Sequence, residues 1–241
     1  MLITGASGML GKSLSKLFPN AILLAGRRDL DLTNIEETNN YLEDKYFDVI
    51  IHCAAFTNLQ YCDDNPYKTM ILHSEIVDHL VKHCDKFIYI STNPTDNKRT
   101  YYLTKQAGEK RTMLSKSTNI VLRTNIYGKG GLAEWAISNL KDKKKIKGFS
   151  NILFNAIHID QLSNVIKELL SDPHSSGVIN VAGNYTISKY DFICLVANYL
   201  NLDVNLVTPS EGTILQDLVI ANSIDKLSLN EGLKLLKKDY E

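Results

Sequence analysis

The first 14 residues decide the fold, and they read Met1-Leu-Ile-Thr-Gly5-Ala-Ser-Gly8-Met-Leu-Gly11-Lys-Ser-Leu14. A short apolar segment predicts a strand, and the leucine spacing beyond it predicts a helix. Between them, Gly5 permits a tight turn, Gly8 opens the backbone to a phosphate, and Gly11 allows close packing of helix on strand. The motif therefore predicts a dinucleotide at the helix N-terminus. The loop residues predicted to contact it are Gly5, Ser7, Gly8, Met9 and Leu10.

Short apolar runs alternate with helical patterns through the first half of the chain. The predicted strands lie at 1–4, 21–25, 48–53, 86–91 and 119–122, and the predicted helices at 9–18, 34–45, 66–83 and 100–116. The third helix is expected to begin at Asn65-Pro66, an N-cap followed by proline at the first helical position. This alternation predicts an α/β fold of the Rossmann type, with a doubly wound parallel sheet covered on both faces.

The pattern becomes less regular in the second half. Predicted helices lie near 132–143, 161–171, 188–200 and 229–238, and extended pieces at 146–158, 177–182 and 204–208. We interpret residues 1–125 as a dinucleotide-binding Rossmann lobe. Residues 126–241 are expected to form mainly a smaller C-terminal α/β substrate lobe, with some segments returning to the first lobe.

Composition narrows the class of protein. The chain has 241 residues, 44% of them hydrophobic, and a formal net charge of zero, so there is no electrostatic case for nucleic acid or an anionic membrane. We expect no leader and no membrane span, and hence a cytoplasmic protein. The four cysteines show no Cys-x-x-Cys spacing and are expected to be free thiols. The six histidines lack metal spacing, so no metal is predicted.

Tyr101 and Lys105 form the second informative pattern. They stand four apart in a predicted helix and therefore project from one face. At ~4 Å and an effective dielectric constant of ~20, a phenol beside an ammonium gains ~4 kcal/mol when it ionises. That is ~3 pKa units, enough to bring a tyrosine from ~10 towards neutrality. A solvated helix pair also fits this spacing, but the position downstream of the glycine loop and a Ser-Thr strand end favours a tuned proton donor.

An ordered series of motifs follows the glycine loop. In chain order they are Asp31-Leu32-Thr33-Asn34, Phe47-Asp48-Val-Ile-Ile-His-Cys-Ala54-Ala55-Phe-Thr57, Ile90-Ser91-Thr92, the Tyr101 and Lys105 pair, Arg123-Thr124 with Tyr127-Gly128, His158-Ile-Asp160, Gly177-Val-Ile-Asn-Val-Ala-Gly183 and Tyr190-Asp191-Phe192. With the loop, this series resembles the extended short-chain dehydrogenase/reductase superfamily. Within it, the chain is similar to the dTDP-4-dehydrorhamnose reductase family through most of its length. The motifs are more specific for the superfamily than for the reductase branch.

The resemblance implies roles for several residues. Tyr101 would be the general acid, and Lys105 would lower its pKa and hold the nicotinamide ribose. Thr92 would hydrogen-bond the substrate carbonyl, and Ala54-Ala55 would lie against the cofactor. Small side chains at a strand's C-terminal end do leave room in the crevice where such sheets bind ligands. Taken alone, however, the alanines also fit tight packing, and Ser91 and Thr92 also fit an ordinary strand-end cap.

The end of the second strand bears on the choice of cofactor. An NAD-selective site usually has a carboxylate there for the ribose 2′-hydroxyl, whereas an arginine accommodates a 2′-phosphate. This strand ends in Ala25-Gly26, and Arg27 and Arg28 follow, so NADP(H) is favoured over NAD(H). A solvated turn is the alternative, and Asp29 weakens the preference. Two further residues are expected to border the adenine: Asp31 and Leu32.

The connection between Thr92 and Tyr101 departs from the family pattern, because these residues are only nine positions apart. Related reductases have a longer loop there that helps to cover the sugar. The short connection is therefore expected to open the site or to leave Thr92 badly placed. Asn93-Pro94 also lacks the Asp-Glu pair that resemblance to the sugar-nucleotide dehydratases would require, which argues against dehydration.

The sequence thus predicts an NAD(P)H-dependent oxidoreductase of carbohydrate biosynthesis. It would reduce a nucleotide-linked 4-keto-6-deoxy sugar by hydride transfer to the keto carbon, while Tyr101 protonates the oxygen. Two alternatives stay open. One is a sugar-nucleotide epimerase with a retained cofactor. The other is a non-catalytic cofactor-binding regulatory subunit, which the short loop favours and the intact Tyr101 and Lys105 pair opposes. The expected partners are a nucleotide-sugar substrate and a second copy of the chain in a homodimer.

Overall fold

The computed structural model describes residues 1–93, 98–212, 218–221, 224 and 227–241. Its central element is a six-stranded parallel sheet, with five strands from the first half of the chain and one from the second. Within these residues the strands are β1 (Leu2–Thr4), β2 (Ile22–Leu24), β3 (Phe47–His52), β4 (Cys84–Ser91), β5 (Ile120–Thr124), β6 (Ile126–Tyr127), β7 (Ile146–Phe149), β8 (Leu153–Phe154), β9 (Ile157–His158), β10 (Gly177–Val181), β11 (Ile187–Ser188) and β12 (Val207–Ser210). The bounds of β1 to β5 lie within two residues of the predicted bounds. The α/β fold of the Rossmann type is therefore confirmed.

Helices fill most of the connections between the strands. Within the described residues they are α1 (Met9–Leu17), α2 (Ile35–Leu42), α3 (Leu59–Asp64), α4 (Pro66–Met70), α5 (Val77–Leu80), α6 (Thr100–Ser115), α7 (Gly131–Lys141), α8 (Ile159–Ser171), α9 (Lys189–Tyr199) and α10 (Leu229–Lys238), with a π-helical turn at Ile71–Glu75 and 3₁₀ turns at Val81–His83 and Val204–Leu206. Helix α3 was not predicted, because six residues are too few for apolar periodicity. Its N-cap is Asn58, a residue type that is common at this position, and Asn58 Oδ1 accepts the Tyr61 backbone N–H at 2.9 Å.

The order of the strands creates a crevice beside β1. The order is β10-β5-β4-β3-β1-β2, and the pairings of β1 with β2 and β3, and of β4 with β3 and β5, are parallel. The direction of winding therefore reverses at β1, which has β2 on one side and β3 on the other. Doubly wound sheets bind ligands beyond the carboxyl ends of the strands at such a switch point. The residues that follow β1, β2 and β3 meet at that edge.

An apolar core fixes these strand ends. Leu2 of β1, Ile50 of β3 and Phe87 of β4 are fully buried, and Leu42 of α2 and Leu80 of α5 pack into the same cluster. The central strands read as near-continuous apolar runs because helices cover both faces of the sheet. Burial of each large aliphatic or aromatic side chain contributes ~1.5–3 kcal/mol. The cluster thus provides a rigid base for the loops at the switch point.

The helix predicted over residues 66–83 is divided in the structure. Helix α4 passes into a π-helical turn, and α5 and a short 3₁₀ turn complete the segment. The predicted helix start is confirmed, because α4 begins at Pro66 with Asn65 as its N-cap. The Asn65 side chain makes no capping hydrogen bond, and its Nδ2 donates to the Tyr61 carbonyl at 3.0 Å instead. Apolar periodicity does not reveal a π turn, since the inserted residue changes hydrogen bonding more than burial. Such turns are frequent at functional positions, and this one contains His73.

The chain divides into two compact units. The first comprises Met1–Arg123 with Ser163–Ile179, and the second comprises Thr124–Leu162 with Asn180–Glu241. That the second unit binds substrate stays a prediction. Within the described ranges, no helix combines the length and the apolar character that crossing a bilayer requires.

The second unit has apolar clusters of its own. In one of them Ile137 of α7, Phe192 of α9 and Leu236 of α10 are buried together. Three short strand pairs in the described part of this unit are β6 with β9, β7 with β12 and β8 with β11. The extended piece predicted at 204–208 begins late, because residues 204–206 form a 3₁₀ turn whose start is capped by Asp203.

Candidate active site

The turn between β1 and α1 is shaped by glycines that leave no room for a side chain. Gly5 has a φ of +66°, and a Cβ there would lie 2.6 Å from the amide nitrogen of Ala54. A Cβ on Gly11 would lie 2.6 Å from the Cα of Ala6. Gly8 is the N-cap of α1 and has no side chain to satisfy the first amide groups of the helix. This is the arrangement that binds phosphate at a helix N-terminus.

A cleft of about 220 Å³ opens at the carboxyl ends of β1, β2 and β3. Eight predicted cofactor contacts line it: Gly5, Ser7, Gly8, Arg27, Asp31, Leu32, Ala54 and Ala55. Residues outside the predicted set complete the lining: Leu24, Ala25, Gly26, Leu30, Thr33, Cys53, Phe56 and Leu72. Ala25, Gly26 and Cys53 directly follow a strand of the switch point, and that position in the sequence is the signal that would have found them.

The remaining predicted site residues lie outside the lining of this cleft. Met9, Leu10 and Arg28 belong to the same loops, but Leu10 is buried and Arg28 is exposed away from the lining. The other three are grouped around the N-terminal half of α6: Thr92, Tyr101 and Lys105. Contacts of all six with a cofactor or a substrate stay predictions.

The carboxylate of Asp29 is hydrogen-bonded to Ala25, the residue that directly follows β2. The Ala25 backbone N–H donates to Asp29 Oδ2 at 2.6 Å, and the Ser7 hydroxyl donates to the Ala25 carbonyl. The Arg27 guanidinium lies over the Phe56 ring, 5.4 Å from its centre. The strand end therefore has both an arginine and a carboxylate beside it. The sequence analysis weighed Asp29 but did not predict this hydrogen bond, because it depends on the tight turn over residues 26–29.

Asp31 is fixed by its own loop. Its Oδ1 accepts the Thr33 backbone N–H at 2.9 Å and the Thr33 hydroxyl at 2.7 Å. Burial acts to raise the pKa of Asp31, but these two hydrogen bonds and the charges of Arg27 and Lys68 outweigh it and lower the pKa. The carboxylate is therefore ionised at neutral pH. It suits hydroxyl and amino groups of a ligand, which donate hydrogen bonds.

The side chains of Thr92 and Tyr101 are hydrogen-bonded to each other. Thr92 directly follows β4, and Tyr101 is the second residue of α6. Whether Thr92 is placed to meet a substrate carbonyl stays a prediction. Burial raises the pKa of Tyr101 to about 12, and the Thr92 hydrogen bond opposes the rise only in part. The expected opening of the site falls on residues 94–97, which lie outside the described residues.

Lys105 has partners other than the phenol. Its Nζ donates to the Ile90 carbonyl at 2.9 Å and lies 4.8 Å from the centre of the Tyr89 ring. Burial lowers the pKa of Lys105 to about 8. We expected this ammonium to lower the pKa of Tyr101. The structure does not show this effect, because the carbonyl and the ring hold the ammonium while burial raises the pKa of the phenol. A role of Lys105 towards the phenolate therefore stays a prediction.

His73 connects the cleft to α6. Its Nε2 accepts the Phe56 backbone N–H at 3.0 Å, so its Nδ1 carries the proton and donates to Thr104 Oγ1 at 2.9 Å. Its ring meets the ring of Tyr101 edge to face, with 5.7 Å between the ring centres. Burial, helped by the charge of Lys105, lowers the pKa of His73 to about 2. The imidazole is therefore neutral, with a fixed tautomer, at physiological pH.

His52, the last residue of β3, is fixed in the same manner beside β1. Its Nε2 donates to the Leu72 carbonyl at 3.1 Å, so its Nδ1 accepts the Thr4 hydroxyl at 2.8 Å. Burial, again with the charge of Lys105, lowers the pKa of His52 to about 3. Both imidazoles thus leave the positive charge of this buried region on Lys105.

Ser91 takes part in the structure of the sheet. Its hydroxyl donates to Glu109 Oε1 at 2.5 Å, and Arg123 forms an ion pair with the same carboxylate at 2.6 Å. These contacts join α6 to β4 and β5, so the strand-end interpretation suits Ser91. They also fix α6 beyond Lys105, and a rigid scaffold of this kind is what a precise site requires.

The other groups with metal-binding or nucleophilic chemistry form no second centre in the part of the chain that the structure describes. No cluster of three or more His, Cys, Asp or Glu side chains there is arranged to hold a metal ion. Cys53, Cys62, Cys84 and Cys194 are free thiols. Cys53 lines the cleft, but burial raises its pKa to about 12. A protonated thiol is a poor nucleophile, so this cysteine contributes packing.

The strand order, the glycine turn and the group around α6 define a Rossmann-type protein of the extended short-chain dehydrogenase/reductase superfamily. The family model described as the RmlD substrate binding domain matches residues 1–214. The chain belongs to that family. The resemblance that the sequence motifs indicated is therefore confirmed.

Three relatives are informative. A dTDP-4-dehydrorhamnose reductase from Streptomyces griseus is 29% identical over 154 residues, which are 54% of this chain and 51% of that protein. The match therefore spans only about half of that relative. Methionine adenosyltransferase 2 subunit beta from Pongo abelii is 27% identical across 87% of this chain and 74% of that protein.

The crystal structure of dTDP-4-dehydrorhamnose reductase from Bacillus anthracis str. Ames in complex with NADP has a TM-score of 0.86. It is 22% identical, with 98% of this chain and 96% of that chain covered, and it shows the shared fold.

Proposed function

We propose that this protein is an NAD(P)H-dependent reductase of a nucleotide-linked 4-keto-6-deoxy sugar. The observation that carries the proposal is the hydrogen bond between Thr92 and Tyr101, on a helix that also presents Lys105. A paired hydroxyl and phenol can together hold one carbonyl oxygen, which a solvated helix pair does not require. The reductase relatives from Streptomyces griseus and Bacillus anthracis support the reaction class.

The cleft at the switch point fits a nicotinamide dinucleotide. Gly5 and Gly8 bring bare backbone to the N-terminus of α1, where a pyrophosphate is favourable. The Arg27 side of the cleft suits a 2′-phosphate, and the Asp29 carboxylate, which accepts the Ala25 amide just after β2, suits a free 2′-hydroxyl. We propose that NADP(H) binds more tightly than NAD(H). Asp29 would reduce the difference between the two affinities, because its negative charge disfavours a 2′-phosphate. When bound, the cofactor would supply the hydride.

The chain's own residues would position and protonate the substrate. Tyr101 would donate its phenolic proton to the carbonyl oxygen as charge develops there. Thr92 would donate a second hydrogen bond to the same oxygen. Lys105, with a pKa of about 8, is mainly protonated at pH 7 and would stabilise the phenolate left behind. This last step requires the ammonium to exchange part of its contact with the Ile90 carbonyl for the phenol.

A second candidate is a non-catalytic, cofactor-binding subunit. One specific observation favours it: burial leaves the pKa of Tyr101 at about 12, which is far from that of an activated acid. The similarity to methionine adenosyltransferase 2 subunit beta points in the same direction. A cytoplasmic location and a homodimer remain predictions under either candidate.

The test is turnover with a defined set of substrates. NADPH and NADH consumption is measured by nicotinamide absorbance with dTDP-, UDP- and GDP-linked 4-keto-6-deoxy sugars, and the product is identified by mass spectrometry. The reductase proposal expects one keto sugar to be reduced, with loss of activity in Tyr101→Phe. Cofactor binding without reduction of any of these sugars would favour the subunit.

A further inference from the structure

Helix α6 begins without a cap of its own. Its N-cap residue, Arg99, makes no side-chain capping hydrogen bond, and the first turn contains no acidic residue. The first amide groups of a helix have no partner within the helix, and a negative charge beside them is favourable. Tyr101 belongs to this first turn, so the groups that fix the first turn also determine the position of its phenol.

Asp63 supplies the missing cap and the missing negative charge at the start of α6. Its Oδ1 accepts the Thr100 backbone N–H at 3.0 Å, and its Oδ2 accepts Arg99 Nε at 2.7 Å. The Thr100 side chain is hydrogen-bonded to the same carboxylate. The Thr100 amide and the Arg99 guanidinium lower the pKa of Asp63, so the carboxylate is ionised at neutral pH. One side chain from a different helix therefore caps α6 and places a negative charge at its positive end.

The helix that carries Asp63 is itself fixed to the edge of the cleft. Asp63 lies near the end of α3, which starts at the Asn58 cap. Cys62, its neighbour, is fully buried, and its Sγ donates to the carbonyl of Phe56 at 3.5 Å. Phe56 lines the cleft. A chain of direct contacts thus runs from the cleft through α3 to the first turn of α6.

We infer that Asp63 is a positioning residue for Tyr101. By capping α6 from α3, it holds the phenol beside Thr92 despite the short connection between them. The inference rests on the proposed function, because it assigns Asp63 to the proposed general acid. A displacement of ~1 Å in a reacting group is enough to reduce turnover by ~10²-fold, so even a modest shift of the helix start is measurable.

The test compares Asp63→Asn with Asp63→Ala. Asparagine keeps an oxygen that accepts the Thr100 amide, whereas alanine removes the cap. We expect Asp63→Ala to lower kcat at least ~10-fold with the KM for NADPH nearly unchanged, and Asp63→Asn to restore most of the rate. Asp64→Ala is the matched control: its carboxylate accepts Gln60 Nε2 at 2.9 Å on the same helix and should be silent.

Hydrogen exchange at the Thr100 amide is the second readout and requires no substrate. Exchange should be faster in Asp63→Ala than in Asp63→Asn, Asp64→Ala or the unmodified protein. Normal kcat in Asp63→Ala, equal losses in both Asp63 variants, or unchanged exchange in Asp63→Ala would each overturn the inference. An unmodified protein that reduces no keto sugar would refute the proposed function instead, and faster exchange in Asp63→Ala would still support the cap.

Discussion

Thr92 and Tyr101 are hydrogen-bonded through their side chains although only nine positions separate them in the chain. Thr92 is held by the end of β4, and Tyr101 by the start of α6, so the pair joins the sheet to the helix. A carbonyl oxygen placed between a threonine hydroxyl and a phenol can accept hydrogen bonds from both. The predictions below ask whether this pair and the neighbouring cleft work as a reductase.

Arg27 is expected to set the preference for a 2′-phosphate. It lines the cleft, whereas Arg28 does not. Arg27→Ala should weaken NADPH binding by ~1.5–3 kcal/mol, the usual value of hydrogen bonds to charged groups, and should leave NADH binding nearly unchanged. Arg28 is also a predicted contact but lies outside the lining, so Arg28→Ala should weaken NADPH binding less than Arg27→Ala does. Titration calorimetry measures the dissociation constants of both cofactors for all three proteins. Equal affinities for the two cofactors in the unmodified protein would remove the argument.

Gly8 is expected to govern phosphate binding with little effect on folding. A Cβ there would meet only the Gly5 carbonyl oxygen, at 3.2 Å, so Gly8→Val should fold and yet obstruct a pyrophosphate. The stabilisation that the cofactor gives the unmodified protein, ~2.7 kcal/mol at 100 times Kd, should disappear. Gly5→Ala provides the contrast: its positive φ and the crowding by Ala54 should lower Tm without any ligand. A thermal shift with NADPH retained in Gly8→Val would show that the phosphates bind elsewhere.

The two buried histidines predict a loss of stability in mild acid. The pKa values of His52 and His73 are about 3 and about 2 in the folded protein, below the ordinary value of 6.5 in the unfolded chain. As pH falls below 6.5, the unfolded chain binds protons that these folded imidazoles do not. The free energy of unfolding should therefore fall between pH 6.5 and pH 4 by ~1.4 kcal/mol per pH unit for each histidine.

Urea unfolding at a series of pH values measures this slope. His73→Gln should reduce it by the contribution of one histidine. His174→Gln, at an exposed position, should leave it unchanged. A free energy of unfolding that stays constant from pH 6.5 to pH 4 would mean that the two imidazoles accept protons in the folded state.

The cleft shows which parts of the site a sequence reveals. The requirement for glycine at Gly5 and Gly11 is local: a positive φ or a close backbone contact excludes other residues, and the spacing alone indicates it. The strands could also be predicted, because buried parallel strands are continuous apolar runs. The hydrogen-bond partners of polar side chains could not be predicted from the sequence. The Asp29 contact with Ala25 depends on a turn conformation that residue spacing does not determine.

The group around α6 shows the same limit. Spacing placed Tyr101 and Lys105 on one helix face, but it did not reveal that burial raises the pKa of the phenol or that the Ile90 carbonyl receives the ammonium. Burial and distant carbonyl groups are properties of the tertiary structure. The π turn with His73 was missed for a related reason, because a single inserted residue leaves the apolar pattern almost unchanged.

Lys105 should matter for both binding and turnover. Lys105→Met removes the buried charge that would stabilise the phenolate and, by the family resemblance, hold the ribose. We expect weaker NADPH binding and a large loss of kcat, because an ammonium stabilises an adjacent anion strongly at a buried site. Lys110→Met is the control, since Lys110 is exposed on the same helix. Equal effects of the two substitutions on Kd and kcat would remove Lys105 from the site.

Replacement of the phenol at Tyr101 tests the central claim most directly. Tyr101→Phe keeps the ring that packs on His73 and removes only the hydroxyl that bonds Thr92. Tyr102→Phe removes the same group from the next residue, which lies ~100° further round the helix, and serves as the control. The measurement is kcat with the reduced keto sugar, together with Kd for NADPH, in both variants. We predict that Tyr101→Phe lowers kcat by ~10²–10⁴-fold with Kd unchanged, while Tyr102→Phe remains near the unmodified rate. A Tyr101→Phe protein that retains full turnover, or a Tyr102→Phe protein that loses it, would contradict the assignment of Tyr101 as the general acid.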